Sequence, residues 1–315
     1  MQEIREYKLA LVITYFGKLP AYFRYFLQSC SYNTTIDFII FTDANYRCYQ
    51  QYDNVVFIPS NLKNINELAS GKFGLPVNIK FAYKLCDLKP MYGLIYEDYL
   101  RHYSHWGYCD IDIIFGNLAK CITSDLLHKY DIVSSHSQYM SGAFSIYRNT
   151  PEVSALCTKS KDFKKILLED TVFFFDEASD IIDKLWSGHE IADFTSKIES
   201  ISHVIANTSK HNLSVAYKNI ITEKIRHKVI WEKGRLIDSD NELYIFHFLI
   251  YKNSVYFHTS NFINKQTYVF TRHGIFLDFI RSYTISWLRS VLSNIIKKST
   301  GKLIYFMKYY KKVSY

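Results

Sequence analysis

Asp110 and Asp112 stand one residue apart in the run Trp106-Gly107-Tyr108-Cys109-Asp110-Ile111-Asp112-Ile113-Ile114-Phe115-Gly116. Two carboxylates at that spacing supply the hard oxygen ligands that Mg²⁺ or Mn²⁺ takes, with positions left open for phosphate oxygens. On a pleated strand the two side chains would share one side. The spacing alone is common, and a solvated strand end is its more frequent explanation. The setting narrows the choice: apolar residues lie on both sides, where a charge is costly unless it is paired or ligates a cation. A second acidic pair, Asp176-Glu177, follows Phe173-Phe174-Phe175. Three rings beside a carboxylate can desolvate it and raise its pKa, although Asp176 also suits a helix N-cap.

The elements that must position these groups read as alternating strands and helices. Leu9 to Tyr15 is a short continuous apolar run, as expected of a strand covered on both faces. A helix from Tyr22 to Cys30 and a strand from Ile36 to Phe41 complete a βαβ unit. Val55 to Pro59 gives a third strand. Residues 60–79 read as a loop excursion with a short helix. Helices are expected over Asn78–Leu88, Gly93–Tyr103 and Pro151–Lys161, and further strands at 106–109, 131–135, 142–147 and 244–248. The fold class is α/β, with a mostly parallel sheet whose carboxyl ends carry Asp43, Asp110 and Asp112.

Composition supports a folded enzyme-sized body. Of 315 residues, 48% are hydrophobic and 22% charged, which excludes a disordered chain. Aromatics reach 17%, with 27 Tyr and 23 Phe, a usage that suits cores, sugar-stacking surfaces and membrane interfaces alike. Eight of the basic residues fall between Phe279 and Tyr315, which contains no acid, so positions 1–278 hold 30 basic and 30 acidic residues. A neutral body argues against nucleic acid as a partner. Six cysteines without a C-x-x-C pair read as reduced, mostly buried thiols of a cytosolic protein. The N-terminus lacks the pattern of a signal peptide, and no run of about 18 apolar residues occurs.

Residues 106–118 resemble the D-x-D segment of GT-A glycosyltransferases, and more narrowly a family of bacterial transferases from capsule and O-antigen gene clusters. Thr14-Tyr15-Phe16-Gly17-Lys18-Leu19-Pro20, Phe41-Thr42-Asp43 and Lys84-Leu85-Cys86-Asp87-Leu88-Lys89-Pro90-Met91-Tyr92-Gly93 match the same pattern in order, over about residues 8–255. The resemblance implies a Rossmann-like GT-A domain and a site that holds a nucleotide-diphosphate sugar. Thr14 and Tyr15 would border the base and ribose, and Asp43 would accept a hydrogen bond from the base. Lys84, Asp87 and Lys89 would lie near the donor, as would Asp110 and Ile111, while Gly142 would let backbone approach the sugar. Asp110, Asp112 and His247 would ligate Mn²⁺ or Mg²⁺, and Lys252 would neutralise the departing diphosphate. Asp176 or Glu177, with a lean to Glu177, would be the base of an inverting transfer. Trp231 to Leu236 would shape the acceptor side.

The expected reaction is transfer of a hexose from a UDP-type nucleotide sugar to a cell-surface polysaccharide or lipid-linked glycan. A retaining transferase stays open. A sugar nucleotidyltransferase fits poorly, because Tyr15 to Pro20 has one glycine where a phosphate loop needs several. A non-catalytic glycan-binding protein would not need the acidic pairs and His247 together. Residues 1–260 are expected to form the catalytic domain and 261–315 a helical basic extension. Residues 279–315 are amphipathic, cationic and aromatic. They suit peripheral contact with the anionic inner face of a bacterial plasma membrane, or docking on the body.

Overall fold

A computed structural model describes residues 7–277 other than 50, 210, 211, 227, 240, 255, 256 and 262–264, together with 284, 285, 288 and 292. The first strands in chain order are β1 (Leu9–Tyr15), β2 (Ile36–Thr42), β3 (Val55–Pro59), β4 (His105–Cys109), β5 (Ile113–Phe115), β6 (Ile132–Ser134), β7 (Phe144–Arg148) and β8 (Val215–Tyr217). All but β5 join a sheet of order β3-β2-β1-β4-β7-β6-β8. β3, β2, β1 and β4 run parallel, β7 is antiparallel to both neighbours, and β6 pairs parallel with β8. The expected mostly parallel sheet is present.

The continuous apolar runs follow from burial on both faces. Ala10 and Val12 of β1 enter one core cluster with Ile39, Phe41, Trp106 and Tyr108. Leu9, Leu11 and Ile13 enter the other with Ile36, Phe38, Ile40 and Phe115. Each such side chain contributes about 1.5–3 kcal/mol of burial. Helix α1 (Phe23–Ser31) covers the second face through Phe23, Phe26, Leu27 and Cys30, and α2 (Leu62–Phe73) covers the first through Ile65 and Ala69.

Local chemistry changes several expected elements. The excursion at 60–79 contains twelve helical residues, because Asn61 and Asn64 cap α2 reciprocally and Gly74 closes it at φ +62°. Instead of a helix over 78–88 the chain takes a run of 3₁₀ turns, Ala82–Met91, in which residues three apart eclipse. The helix expected over 93–103 is two short pieces, Tyr92–Ile95 and Glu97–Leu100.

Beyond residue 200 come α3 (Ile201–Ser209), β9 (Ile221–Thr222), β10 (Lys228–Glu232), β11 (Arg235–Asp238), β12 (Asn241–Leu243), β13 (Ile245–His247), β14 (His258–Thr259), β15 (Thr267–Thr271) and β16 (Gly274–Phe276). Most form a second sheet, β12-β11-β10-β15-β16-β14, which runs past residue 260. β5, β13 and β9 form a third. Lys233 and Gly234 turn β10 into β11 with left-handed φ of 45° and 81°. Trp231, expected toward the acceptor side, is instead buried, its indole N–H donating to Phe115 O at 3.0 Å and joining the second sheet to β5. Among the described residues no helix is long and apolar enough to cross a membrane. The extension expected to be helical over 261–315 instead carries β15 and β16 as far as Phe276, and the membrane contact expected at 279–315 lies outside the described residues but for 284, 285, 288 and 292.

Candidate functional site

β1 lies between β2 and β4, so the chain leaves it to one side for β2 and only later returns on the other for β4. That switch point opens a crevice beyond the carboxyl ends of β1 and β4. A cavity of about 440 Å³ occupies it, lined among others by Thr14, Tyr15, Lys89, Ile111, Gly142 and Phe174. β4 ends at Cys109 in the main sheet and β5 begins at Ile113 in the third, so residues 110–112 bend from one sheet to the other. The two carboxylates converge because of this bend and not through pleat alternation. The Asp110 N–H donates to Ala143 O at 3.0 Å, and the Phe248 N–H to Asp112 O at 3.1 Å. β13 pairs antiparallel with β5, setting His247 opposite Ile113 and thus beside Asp112.

One ligand atom each from Asp110, Asp112 and His247 lies within 4.8 Å of the others. His247 Nε2 is 3.4 Å from Asp112 Oδ2 and 4.0 Å from Asp110 Oδ2. Asp112 and His247 are buried, and their facing atoms, Asp112 Oδ2 and His247 Nε2, are paired by charge without a well-directed hydrogen bond. The Lys252 ammonium approaches Asp112 Oδ2 to 2.7 Å as an ion pair. Burial alone would lower the His247 imidazole, but Asp112 and Glu223 outweigh it and lift its pKa to about 10. Burial would likewise raise Asp112, which His247 and Lys252 hold well below the carboxylate range. Two carboxylate oxygens and an imidazole nitrogen that converge in this way are a donor set that could hold Mn²⁺ or Mg²⁺, the cation supplying the charge that His247 and Lys252 otherwise give Asp112.

Glu223 completes this group and has no signal in the sequence. Its Oε1 lies 2.9 Å from His247 Nδ1, across 24 residues. A carboxylate on one ring nitrogen fixes the tautomer that leaves the other free for a metal.

The acidic pair faces the same cavity. Burial raises Asp176 well above the carboxylate range against the pull of Lys89, with Glu177 adding to the rise. Burial also raises Glu177, opposed by Lys89 and by the Gly142 N–H that donates to its Oε1 at 3.2 Å. Gly142 is required here by contact: a Cβ would stand 2.5 Å from Asp176 Oδ2 and 2.9 Å from Glu177 Cγ. Gly142 lines the cavity at the same time, beside these two carboxylates. Ser202, at the start of α3, accepts from the Met140 N–H at 2.9 Å and donates to Glu177 O at 2.6 Å, clamping the two loops together.

Lys89 joins the two acidic groups. Its ammonium donates to Asp110 Oδ1 and Gly142 O, both at 2.7 Å, and lies 3.4 Å from Asp176 Oδ2. Burial would lower this lysine, but Asp110 and Asp176 raise it well above its ordinary value. Thr14 and Tyr15 line the cavity as expected, the Thr14 hydroxyl sharing a 2.5 Å hydrogen bond with Tyr92.

Three expected donor contacts lie elsewhere. Asp43 is exposed and outside the cavity lining, its Oδ1 accepting the Gly17 N–H at 2.7 Å. Lys84 and Asp87 are wholly buried behind the wall and paired at 2.8 Å. Asp87 also accepts the N–H groups of Phe173 and Phe175 at 2.9 and 2.8 Å. Cys86, Asp87 and Asp176 form a second set of closely spaced ligand-type atoms. Asp87 is already fully engaged there, and burial pushes the Cys86 thiol well up, away from the thiolate a metal needs.

Fold and site thus define an α/β protein with a carboxylate–histidine cluster, of a kind that could hold a metal ion, at a sheet switch point. The chain belongs to a family of unknown function (DUF6625), whose pattern matches residues 11–276. Among curated proteins none matches it. It is similar to the galactosyltransferase LgtC solved with donor and acceptor sugar analogs, at 12% identity and a TM-score of 0.32, over 66% of this chain and 72% of that one. It is also similar to the glycosyltransferase GlyE of Streptococcus pneumoniae TIGR4, at 13% identity and 0.32, over 66% of this chain and 45% of that one. Overlaps at that score do not define a shared fold.

Proposed function

We propose that the protein is a metal-dependent GT-A glycosyltransferase that moves a hexose from a nucleoside-diphosphate donor, UDP-linked by preference, to a glycan or lipid-linked acceptor. The observation that carries this is the convergence of Asp110, Asp112 and His247 ligand atoms within 4.8 Å of one another, beside Lys252 and in a cavity that also holds the buried Asp176 and Glu177 carboxylates. Asp110, Asp112 and His247 would hold Mn²⁺ or Mg²⁺, which supplies charge neutralisation at the diphosphate. Lys252 stands ready for the same negative charge as the anomeric carbon–oxygen bond breaks and its electron pair passes to the leaving phosphate. Glu177 takes the proton of the acceptor hydroxyl as that oxygen attacks the anomeric carbon, giving inversion. Burial raises its pKa, which makes it a stronger base than an exposed carboxylate, and Lys89 opposes that rise. Thr14 and Tyr15 flank the nucleoside end.

Thermal-shift measurements with UDP-, GDP- and dTDP-sugars in Mn²⁺ and in EDTA test this directly. A donor that stabilises the protein only with the metal supports the reading, since ligands that bind only the folded state raise stability by mass action. No metal-dependent stabilisation by any nucleotide sugar would overturn it. NMR comparison of donor and product anomers tests the stereochemistry, with retention removing the inverting assignment.

A further inference from the structure

Three consecutive phenylalanines have different fates. Phe173 and Phe175 are buried, at 8% and 0% exposure, whereas Phe174 keeps 40% of its surface and lines the cavity beside Asp176 and Glu177. Phe174 also has φ +53°, in the left-handed region that an aromatic residue adopts only against strain. The backbone around it is over-determined. Asp87 takes the N–H groups on either side, and the Phe174 carbonyl accepts those of Glu177 and Ser179, both at 3.2 Å. Asp87 is held in turn by Lys84, whose ammonium also donates to Thr171 O at 2.5 Å.

None of those hydrogen bonds uses the Phe174 side chain. Glycine would make them all and would remove the strain. Among the described residues the ring belongs to no core cluster and makes no ring or cation contact. The chain therefore forgoes both an easy backbone and a buried ring at one residue, on the loop that carries the proposed base. A ring surface so displayed is explained by a ligand that lies on it. Hexoses offer an apolar C–H face and a rim of hydroxyls, which suit an aromatic face and nearby carboxylates respectively. Tyr83, 67% exposed and lining the same cavity, extends the aromatic rim.

We infer that Phe174 is the platform for the acceptor sugar, taking the apolar face of a pyranose while a hydroxyl of that ring reaches Glu177. The acceptor, and not the donor, is assigned because Phe174 is on the loop of the proposed base, whereas the diphosphate end belongs to Asp110, Asp112 and His247. This assignment rests on the transferase reading.

The test is saturation-transfer NMR on the full chain with diamagnetic Mg²⁺ and UDP, GDP or dTDP. Methyl glycosides of glucose, galactose, mannose and N-acetylglucosamine serve as probes. Wild type should transfer saturation to the ring C–H protons of at least one glycoside. F174Y should keep that signal, and F174G should bind the same glycoside about tenfold or more weakly. F174G should fold, with a melting temperature equal to or above wild type, because the left-handed backbone suits glycine. It should also retain its metal-dependent affinity for the nucleoside diphosphate. If the diphosphate binds wild type but no glycoside shows transfer, or if F174G binds the glycoside as wild type does, the platform assignment is wrong and the transferase reading survives. If no diphosphate binds wild type in Mg²⁺, the transferase reading fails first and takes this assignment with it.

Discussion

Lys84 and Lys89 sit five residues apart on one run of 3₁₀ turns, each within reach of aspartates, and they do different work. Lys84 is fully buried and pairs with Asp87, whose remaining capacity is used by two backbone N–H groups of the 170s loop. Nothing in that group is open to a ligand. Lys89 reaches into the cavity and divides its charge between Asp110, a proposed metal ligand, and Asp176. A saturated ion pair holds a loop in place. An ammonium shared among carboxylates of which one is raised and one is solvated can instead adjust protonation and charge as ligands come and go.

The largest expected effect separates the cavity from the wall behind it. Asp112→Asn should lower turnover by about 10³-fold or more while urea unfolding shows the fold intact, since the loss falls on charge stabilisation at the leaving group. Unchanged turnover would remove Asp112 from the site. Next, Lys84→Met should cost about 3–5 kcal/mol in urea denaturation, because it leaves Asp87 charged and buried. Lys89→Met should cost only about 1 kcal/mol, as its nearest carboxylate partner, Asp110, is partly exposed to water. Equal losses would mean that the two lysines are both structural.

pH dependence sharpens the same contrast. Lys89 opposes the rise of Glu177, so Lys89→Met should move the acid limb of the pH–rate profile to higher pH. An unmoved limb would detach Lys89 from the proposed base. The folded pKa of Asp176 is raised, so its charged form disfavours folding. Stability is full below the unfolded carboxylate pKa and falls as pH rises through the folded one. Asp176→Asn should therefore be more stable than wild type in alkaline urea melts, and the difference should vanish in acid. Smallest, Glu223→Gln should weaken Mn²⁺ binding by about tenfold through loss of His247 orientation, read by isothermal titration.

The parts of the fold with strong patterning were legible in sequence. β1 and β2 announce burial on both faces as continuous apolar runs, and the sheet follows from them. The Asp110–Asp112 spacing, Asp176-Glu177 and His247 with Lys252 also marked residues that meet in one cavity. What stayed hidden depends on contacts between distant segments. Glu223 reaches His247 only because β9 pairs with β13, and no local spacing announces a long-range strand pairing. Lys84 and Asp87 look like exposed helical charges, but the 3₁₀ geometry eclipses them and packs them under the 170s loop. Asp43 ends its strand as expected, yet its carboxylate closes on Gly17. Phe174 looks like its two neighbours until the hydrogen bonds of Asp87 turn it outward.

The central claim is that Asp110, Asp112 and His247 hold a divalent cation, and electron paramagnetic resonance of Mn²⁺ tests it most directly. Titrating wild type and Asp112→Asn with Mn²⁺ in the presence of UDP should show one saturable site that removes the free-ion signal in wild type and is lost in the variant. A wild type that leaves the free-ion signal unchanged, or a variant that binds Mn²⁺ as wild type does, would contradict it.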